Sequence, residues 1–218
     1  NDLYVIELKN FTFRKIPVPN DNLQFKVMYR TRSGSILIGS SYRLYEYNVG
    51  TSSIEEACSD PLNVSSIFET ENGDIIIGFA NNSIRRYDSR FRIVRTRKFD
   101  QDYNLPKLTT VNSIWEDENN VLWLATNQGL LKLDAQLDIL RKYTTANGLS
   151  DRVVYGLLPI QQNELILTTG KGVTIFNRLT EQSRIIRFEH GLPSNECNSG
   201  ALYATSNNRI YLGTIGGF

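Results

Sequence analysis

Residues 111–134 read VNSIWEDENNVLWLATNQGLLKLD. Val111-Asn112-Ser113-Ile114-Trp115 and Leu122-Trp123-Leu124 are strand-like runs rich in β-branched and aromatic residues, and the Asn119-Asn120 dipeptide between them tolerates the left-handed backbone of a tight hairpin. After the small residue Ala125, a polar link leads to a third strand, Leu130–Leu133, and Ile139–Tyr143 supplies a fourth. One small twisted sheet of this kind cannot bury both faces alone, so it needs copies of itself.

The copies are present. The second strand and its small terminal residue recur as Ile36-Leu37-Ile38-Gly39, Ile75-Ile76-Ile77-Gly78, Leu165-Ile166-Leu167-Thr168 and Ile210-Tyr211-Leu212-Gly213. Counting Ala125 in its place, the last positions are separated by 39, 47, 43 and 45 residues. Each copy follows a turn dipeptide: Ser33-Gly34, Asn72-Gly73, Gln162-Asn163 and Asn207-Asn208. Third strands follow at Leu44–Tyr47, Ile84–Tyr87 and Val173–Phe176, and a further fourth strand at Ile185–Phe188. No segment carries helical periodicity, which excludes a helical solenoid. The expected fold is all-β: a β-propeller of four-stranded antiparallel blades packed face to face around an axis.

The spacing places blades at 19–61, 62–106, 107–149 and 150–193, the outer strands of a split or preceding blade at 1–18, and inner strands of a last blade at 194–218. About five blade-equivalents result. Leu3-Tyr4-Val5-Ile6 reads as a third strand with no first or second before it, and Phe218 lies at the offset from Gly213 where third strands begin elsewhere. Two arrangements meet that phase: exchange of strands between the termini to close a five-bladed ring, or membership of a larger, seven-bladed ring. The second is the expectation adopted.

Composition narrows the function classes. With 40% hydrophobic residues the chain can build one core without disulfide or metal staples. Its 24 basic and 23 acidic residues are interspersed and leave a net charge of +1, which argues against nucleic acid as a partner. The longest apolar runs, such as Ile75–Ile77, are strand-sized, so membrane attachment is expected only through segments outside this sequence. Cys58 and Cys197 lack metal-site spacing and are expected to be free thiols.

Chemistry-bearing patterns are sparse. His190, in Glu189-His190-Gly191-Leu192-Pro193, is the one histidine and reads as a loop residue rather than a general base. Glu116-Asp117-Glu118 could supply the paired carboxylates of glycoside chemistry, but its place on a hairpin turn suggests a solvated rim. Thr169-Gly170-Lys171-Gly172 lacks the spacing and following helix of a phosphate loop and reads as a turn between second and third strands. No cofactor and no metal are expected.

What remains is a loop face. Gly148-Leu149-Ser150-Asp151-Arg152 is echoed 43 residues later by Gly191-Leu192-Pro193-Ser194-Asn195. The candidate ligand-binding residues are Asn127, Gln128, Asp151, Arg152, Lys171 and Asn195, all able to hydrogen-bond hydroxyls. Trp115 and Tyr155 are possible stacking platforms, although aromatics on inner strands more commonly pack between blades.

Residues 111–134, with LDILRKYTTANGLSDRVV at 137–154, closely resemble the propeller repeat of sensor regions of two-component regulators. The shared features are an Ile-x-x-Asp turn, an apolar-Trp-apolar strand, a Gly-Leu strand and an Asn-Gly-Leu loop. HGLPSNECNSGALYATSNNRIYLGTIGGF at 190–218 is similar to the last repeat of such sensors before an immunoglobulin-like domain. The resemblance covers residues 105–218 well and 20–104 by spacing alone. It departs from the pattern at Thr168, where Gly or Ala is usual, and the first two copies lack the tryptophan.

The resemblance implies the non-catalytic, periplasmic, ligand-sensing part of a hybrid two-component histidine kinase of Bacteroidetes type. The implied ligand is an oligosaccharide or other small molecule, and the receptor would form a homodimer. A protein-interaction or dimerisation propeller without a small-molecule site is the alternative, and a propeller lyase or glycosidase a third.

Overall fold

The computed structural model describes residues 3–18, 24–58, 63–101, 109–161, 163–205, 207 and 209–217. The segment opens with a hairpin of β1 (Leu3–Glu7) and β2 (Thr12–Ile16). Four antiparallel four-stranded sheets follow. The first holds β3 (Phe25–Arg30), β4 (Ile36–Ser40), β5 (Leu44–Asn48) and β6 (Ser53–Cys58). The second holds β7 (Val64–Glu69), β8 (Ile75–Phe79), β9 (Ser83–Tyr87) and β10 (Ile93–Lys98). The third holds β11 (Val111–Glu116), β12 (Leu122–Thr126), β13 (Gly129–Leu133) and β14 (Ile139–Tyr143). The fourth holds β15 (Val154–Gln161), β16 (Glu164–Thr169), β17 (Gly172–Asn177) and β18 (Ser183–Ile186), and the hairpin β19 (Cys197–Ala204) with β20 (Ile210–Thr214) comes last. Strand order within every sheet follows chain order.

Burial explains the arrangement. β8 and β12 are buried at every position, and β4 and β16 at all but the first, because both faces of a second strand meet a neighbouring sheet. Fourth strands are exposed or half-buried at every position but Tyr143. First strands alternate, and those of adjacent sheets pack on one another: β3 on β7, β7 on β11, β11 on β15, β15 on β19. The apolar clusters accordingly lie between sheets. One joins Leu37 and Leu44 of the first sheet to Ile67, Ile77 and Phe79 of the second; another joins Trp123 and Tyr143 of the third to Leu157, Leu167 and Phe176 of the fourth.

Small residues at the end of the second strand have a steric cause. A Cβ on Gly39 would lie 2.5 Å from Val64 Cγ1, and one on Gly78 2.6 Å from Val111 Cβ, so the next sheet's first strand leaves no space there. Thr168, the departure noted in sequence, is accommodated from its own sheet. It pairs with Gly156, whereas Gly78 pairs with Ser66 and Ala125 with Ser113.

Hydrogen bonds repeat across the seams. Ser65 and Ser66 hydroxyls donate to Val111 O (2.6 and 2.9 Å), and Asn112 Nδ2 donates to Val154 O (2.7 Å). At the opposite end, Glu69 accepts from Arg32 N (2.7 Å) and Glu116 accepts from Glu71 N (2.8 Å). The fourth sheet has Pro159 at that register, and Arg178 makes the bridge instead, reaching Asp117 Oδ2 at 3.1 Å.

Two sequence expectations are corrected here, and the alternative of strand exchange between the termini is not met. The fourth strand at Ile185–Phe188 is instead β18, ending at Ile186; Phe188–His190 turn away as a 3-10 helix, with Gly191 left-handed behind it. Glu116 and Asp117 are not a solvated rim, being only 7% and 6% exposed. The hairpin β1–β2 and the hairpin β19–β20 stay separate sheets, so strand exchange does not close a five-bladed ring among the described residues. The proposed boundaries near 19, 61–62 and 106, and Phe218, lie outside the described residues, as do Gln162 and Asn208 of the two later turns.

Candidate functional site

In the third, fourth and last sheets the turn after the second strand has one construction. The hydroxyls of Thr126, Thr169 and Thr214 each donate at 2.8 Å to the carbonyl three residues on, at Gly129, Gly172 and Gly217. Each also accepts the N–H two residues on, from Gln128, Lys171 and Gly216. These turns and the links between sheets lie on one face of the molecule, where the first strands begin.

On that face the fourth sheet gathers a polar cluster. Asp151 Oδ1 accepts from Arg152 N at 2.7 Å and pairs with Lys171 Nζ at 3.7 Å. Its other oxygen and the Tyr155 hydroxyl flank Gly170 so closely that a Cβ there would sit 3.4 and 3.2 Å from them. The Lys171 carbonyl accepts from Arg187 Nε at 3.5 Å, and Asn195 ties the next loop down, its carbonyl taking Gly172 N (2.7 Å) and its Oδ1 taking Phe188 N (2.6 Å). A strip thus runs outward over one blade, from Tyr155 through Asp151 and Lys171 to Arg187 and the 65% exposed ring of Phe188. Partial burial, then the Arg152 charge, push Lys142 on neighbouring β14 below the usual lysine range.

Of the six candidate residues, the structure brings together Asp151, Arg152, Lys171 and Asn195. Asn127 and Gln128 belong to the corresponding turn of the third sheet and serve other ends. Asn127 Oδ1 accepts from Thr110 N at 3.0 Å, and Gln128 is 8% exposed, so it is buried rather than offered to solvent. Sequence reasoning missed Arg187 and Phe188. The available signal was the comparison of Arg187-Phe188-Glu189-His190-Gly191 with Thr144-Thr145-Ala146-Asn147-Gly148, where an aromatic replaces Thr145 without any inward-facing periodicity. His190 holds the turn: its Nδ1 accepts Arg187 N at 3.1 Å, as Asn147 Oδ1 accepts Thr144 N at 3.0 Å.

Tyr155 connects this strip to the molecular axis. With Asn112, Ser113, Gly156 and Gly200 it lines a recess of about 130 Å³. Beyond lies an axial cavity of about 570 Å³, bordered by all five inner strands and by the rings of Tyr29, Phe68, Trp115 and Tyr203. Trp115 also packs between sheets, with the Arg178 guanidinium 5.0 Å from its ring centre. The cavity lining described carries hydroxyl, amide and one guanidinium group, but no carboxylate or imidazole.

The acidic trio has a structural occupation. Asp117 Oδ2 accepts from Trp123 Nε1 at 3.0 Å and from Arg178, and its Oδ1 takes Asn119 N and Val121 N. Neither Cys58 nor Cys197 is in a disulfide, and burial pushes the Cys197 thiol up.

Radially repeated four-stranded antiparallel sheets around an axial cavity define the architecture. The chain is built as a β-propeller. No protein-family model and no curated protein matches it. Among solved structures, the propeller is similar to the extracellular domain of the hybrid two-component system BT3049 from B. thetaiotaomicron. The TM-score is 0.78 at 18% identity, over 94% of this chain and 29% of that one. The extracellular domain of the one-component system BT4673 from the same organism gives a TM-score of 0.56 at 14% identity, over 98% and 36%. A streptogramin B lyase gives 0.69 at 15%, over 97% and 75%. This propeller therefore spans less than two fifths of either extracellular domain.

Proposed function

We propose that this propeller is the ligand-sensing, non-catalytic extracytoplasmic part of a two-component signalling receptor of the hybrid histidine kinase kind, and that it detects oligosaccharides. The observation that carries the reading is the polar strip of Asp151, Arg152, Lys171 and Asn195, which opens through Tyr155 into the axial recess. Hydroxyl and amide groups beside aromatic rings suit sugar recognition, and the described cavity lining holds no carboxylate or imidazole. Likeness to two extracellular domains of signalling systems supports the sensor setting, and no helix described is long and apolar enough to cross a membrane. In such a receptor a bound ligand shifts the balance between two arrangements of the propeller and its neighbours.

Calorimetric titration with plant, host and microbial oligosaccharides tests this. Binding of at least one class, weakened by Asp151→Ala or Lys171→Ala, is the expected result; no binding by any class removes the glycan assignment. A protein-docking reading has one observation in its favour. The hairpins β1–β2 and β19–β20 each bare an apolar face, with Tyr4, Ile6 and Phe13 on one and Tyr203 and Tyr211 on the other. Copurification of a stable protein partner, with no response to sugars, would favour it.

A further inference from the structure

We infer that the ligand taken on the loop face of the fourth blade is an acidic saccharide, carrying a uronate or sulfate group, rather than a neutral one. The inference deepens the sensor reading and rests on it. Lys171 and Arg187 meet on the turn through the Lys171 carbonyl, Arg152 follows Asp151 beside them, and the one carboxylate within the strip, Asp151, offsets only one of these three cations, through its 3.7 Å pair with Lys171. Arg187 spends only its Nε, in a long bond to the Lys171 carbonyl. Lys142 adds a fourth positive charge close enough to Arg152 to feel it. Glu189 and Glu196 lie exposed on the following loop, and neither makes an ion pair with these cations among the described contacts.

Like charges held together on a rigid turn cost free energy that an arriving anion recovers. The turn is rigid because Thr169 closes it and Asn195 ties its flank. Next to Arg187 stands the exposed ring of Phe188. A flat apolar face beside planar guanidinium donors matches a pyranose ring with a carboxylate or sulfate on its edge, since guanidinium takes such groups in paired hydrogen bonds. The corresponding positions of the third blade are Thr145 and Gln128, neutral and in the latter case buried, so the feature belongs to one blade and not to the repeat.

The test is calorimetry with matched probes: tetragalacturonate against its methyl ester, and a chondroitin sulfate tetrasaccharide against its desulfated form. At least one acidic probe is expected to bind about tenfold or more tightly than its neutral partner, the scale of one charge-assisted bond. The preference should shrink from low salt to about 0.5 M, where exposed charges are screened. The double variant Lys171→Ala/Arg187→Ala should lose the preference with an unchanged melting temperature, and Arg90→Ala, a cation at the far end of the molecule, should keep it. Neutral probes binding as tightly as acidic ones would overturn the acidic assignment while leaving a glycan sensor in place. Failure of all four probes would overturn this inference, and the broader library then decides the sensor reading separately.

Discussion

Thr168 and Gly156 show how far a single residue can be read locally. In sequence Thr168 is only a departure from a small-residue rule. In the structure it trades volume with its cross-strand partner, so that Thr opposite Gly does what Gly opposite Ser does in the second blade. Gly156→Ser alone is expected to cost about 1–3 kcal/mol, because its Cβ would already stand 3.2 Å from Thr168 Oγ1 and 3.3 Å from Leu202. Adding Thr168→Gly recreates the second blade's pair and should restore part of that loss. Urea denaturation of the singles and the double measures the coupling, and strictly additive losses would contradict volume exchange. A second residue-scale prediction concerns the thiols. Burial raises Cys197, so its thiolate is scarcer than that of an open thiol at neutral pH and grows only as pH climbs. Alkylation of the native protein should mark Cys58 first; equal rates at neutral pH would refute the burial effect.

Between strands and turns the seams carry the design. Two seams are latched by a first-strand glutamate that accepts a backbone N–H of the preceding blade. Where the fourth blade has Pro159, Arg178 crosses from the turn after β17 to Asp117, with both side chains more than nine-tenths buried. Removing one partner of such a pair strands the other charge, so Arg178→Met should cost about 3 kcal/mol in denaturant unfolding. Arg92→Ala, at an exposed pair with Asp88, should leave the melting temperature unmoved. A stable Arg178→Met protein would show the bridge to be incidental. The strands themselves were legible: period-two patterning and turn dipeptides located second and third strands to within a residue. The bridge was not, since Arg178 and Asp117 are 61 residues apart. Nothing in the local sequence of Glu116-Asp117-Glu118 distinguishes a buried acceptor from a solvated turn.

At the scale of the whole molecule, the five inner strands border one axial cavity, and the recess beside Tyr155 sets the loop strip of the fourth blade next to it. The same geometry leaves Tyr203 66% exposed, although Tyr29, Phe68 and Trp115, at the equivalent position of three other first strands, are packed between blades. Bare apolar strand faces invite association. The variant Tyr203→Ser/Tyr211→Ser should lower self-association of this 218-residue chain in sedimentation velocity without lowering its melting temperature. An unchanged association constant would mean those faces are not sticky in solution.

Hydrophobic period, turn chemistry and spacing by themselves determined the all-β class, the blade repeat and the loop face, because those signals are local and each blade writes them again. Tertiary structure alone decided which loop residues meet. Asp151, Lys171 and the Arg187-Phe188 pair come from three separate turns, and strand pairing within the fourth sheet brings them into one strip, while Gln128 of the third sheet is buried. A side chain's exposure is set by what lies across the seam, and the residue across the seam is some 40 positions away in the chain.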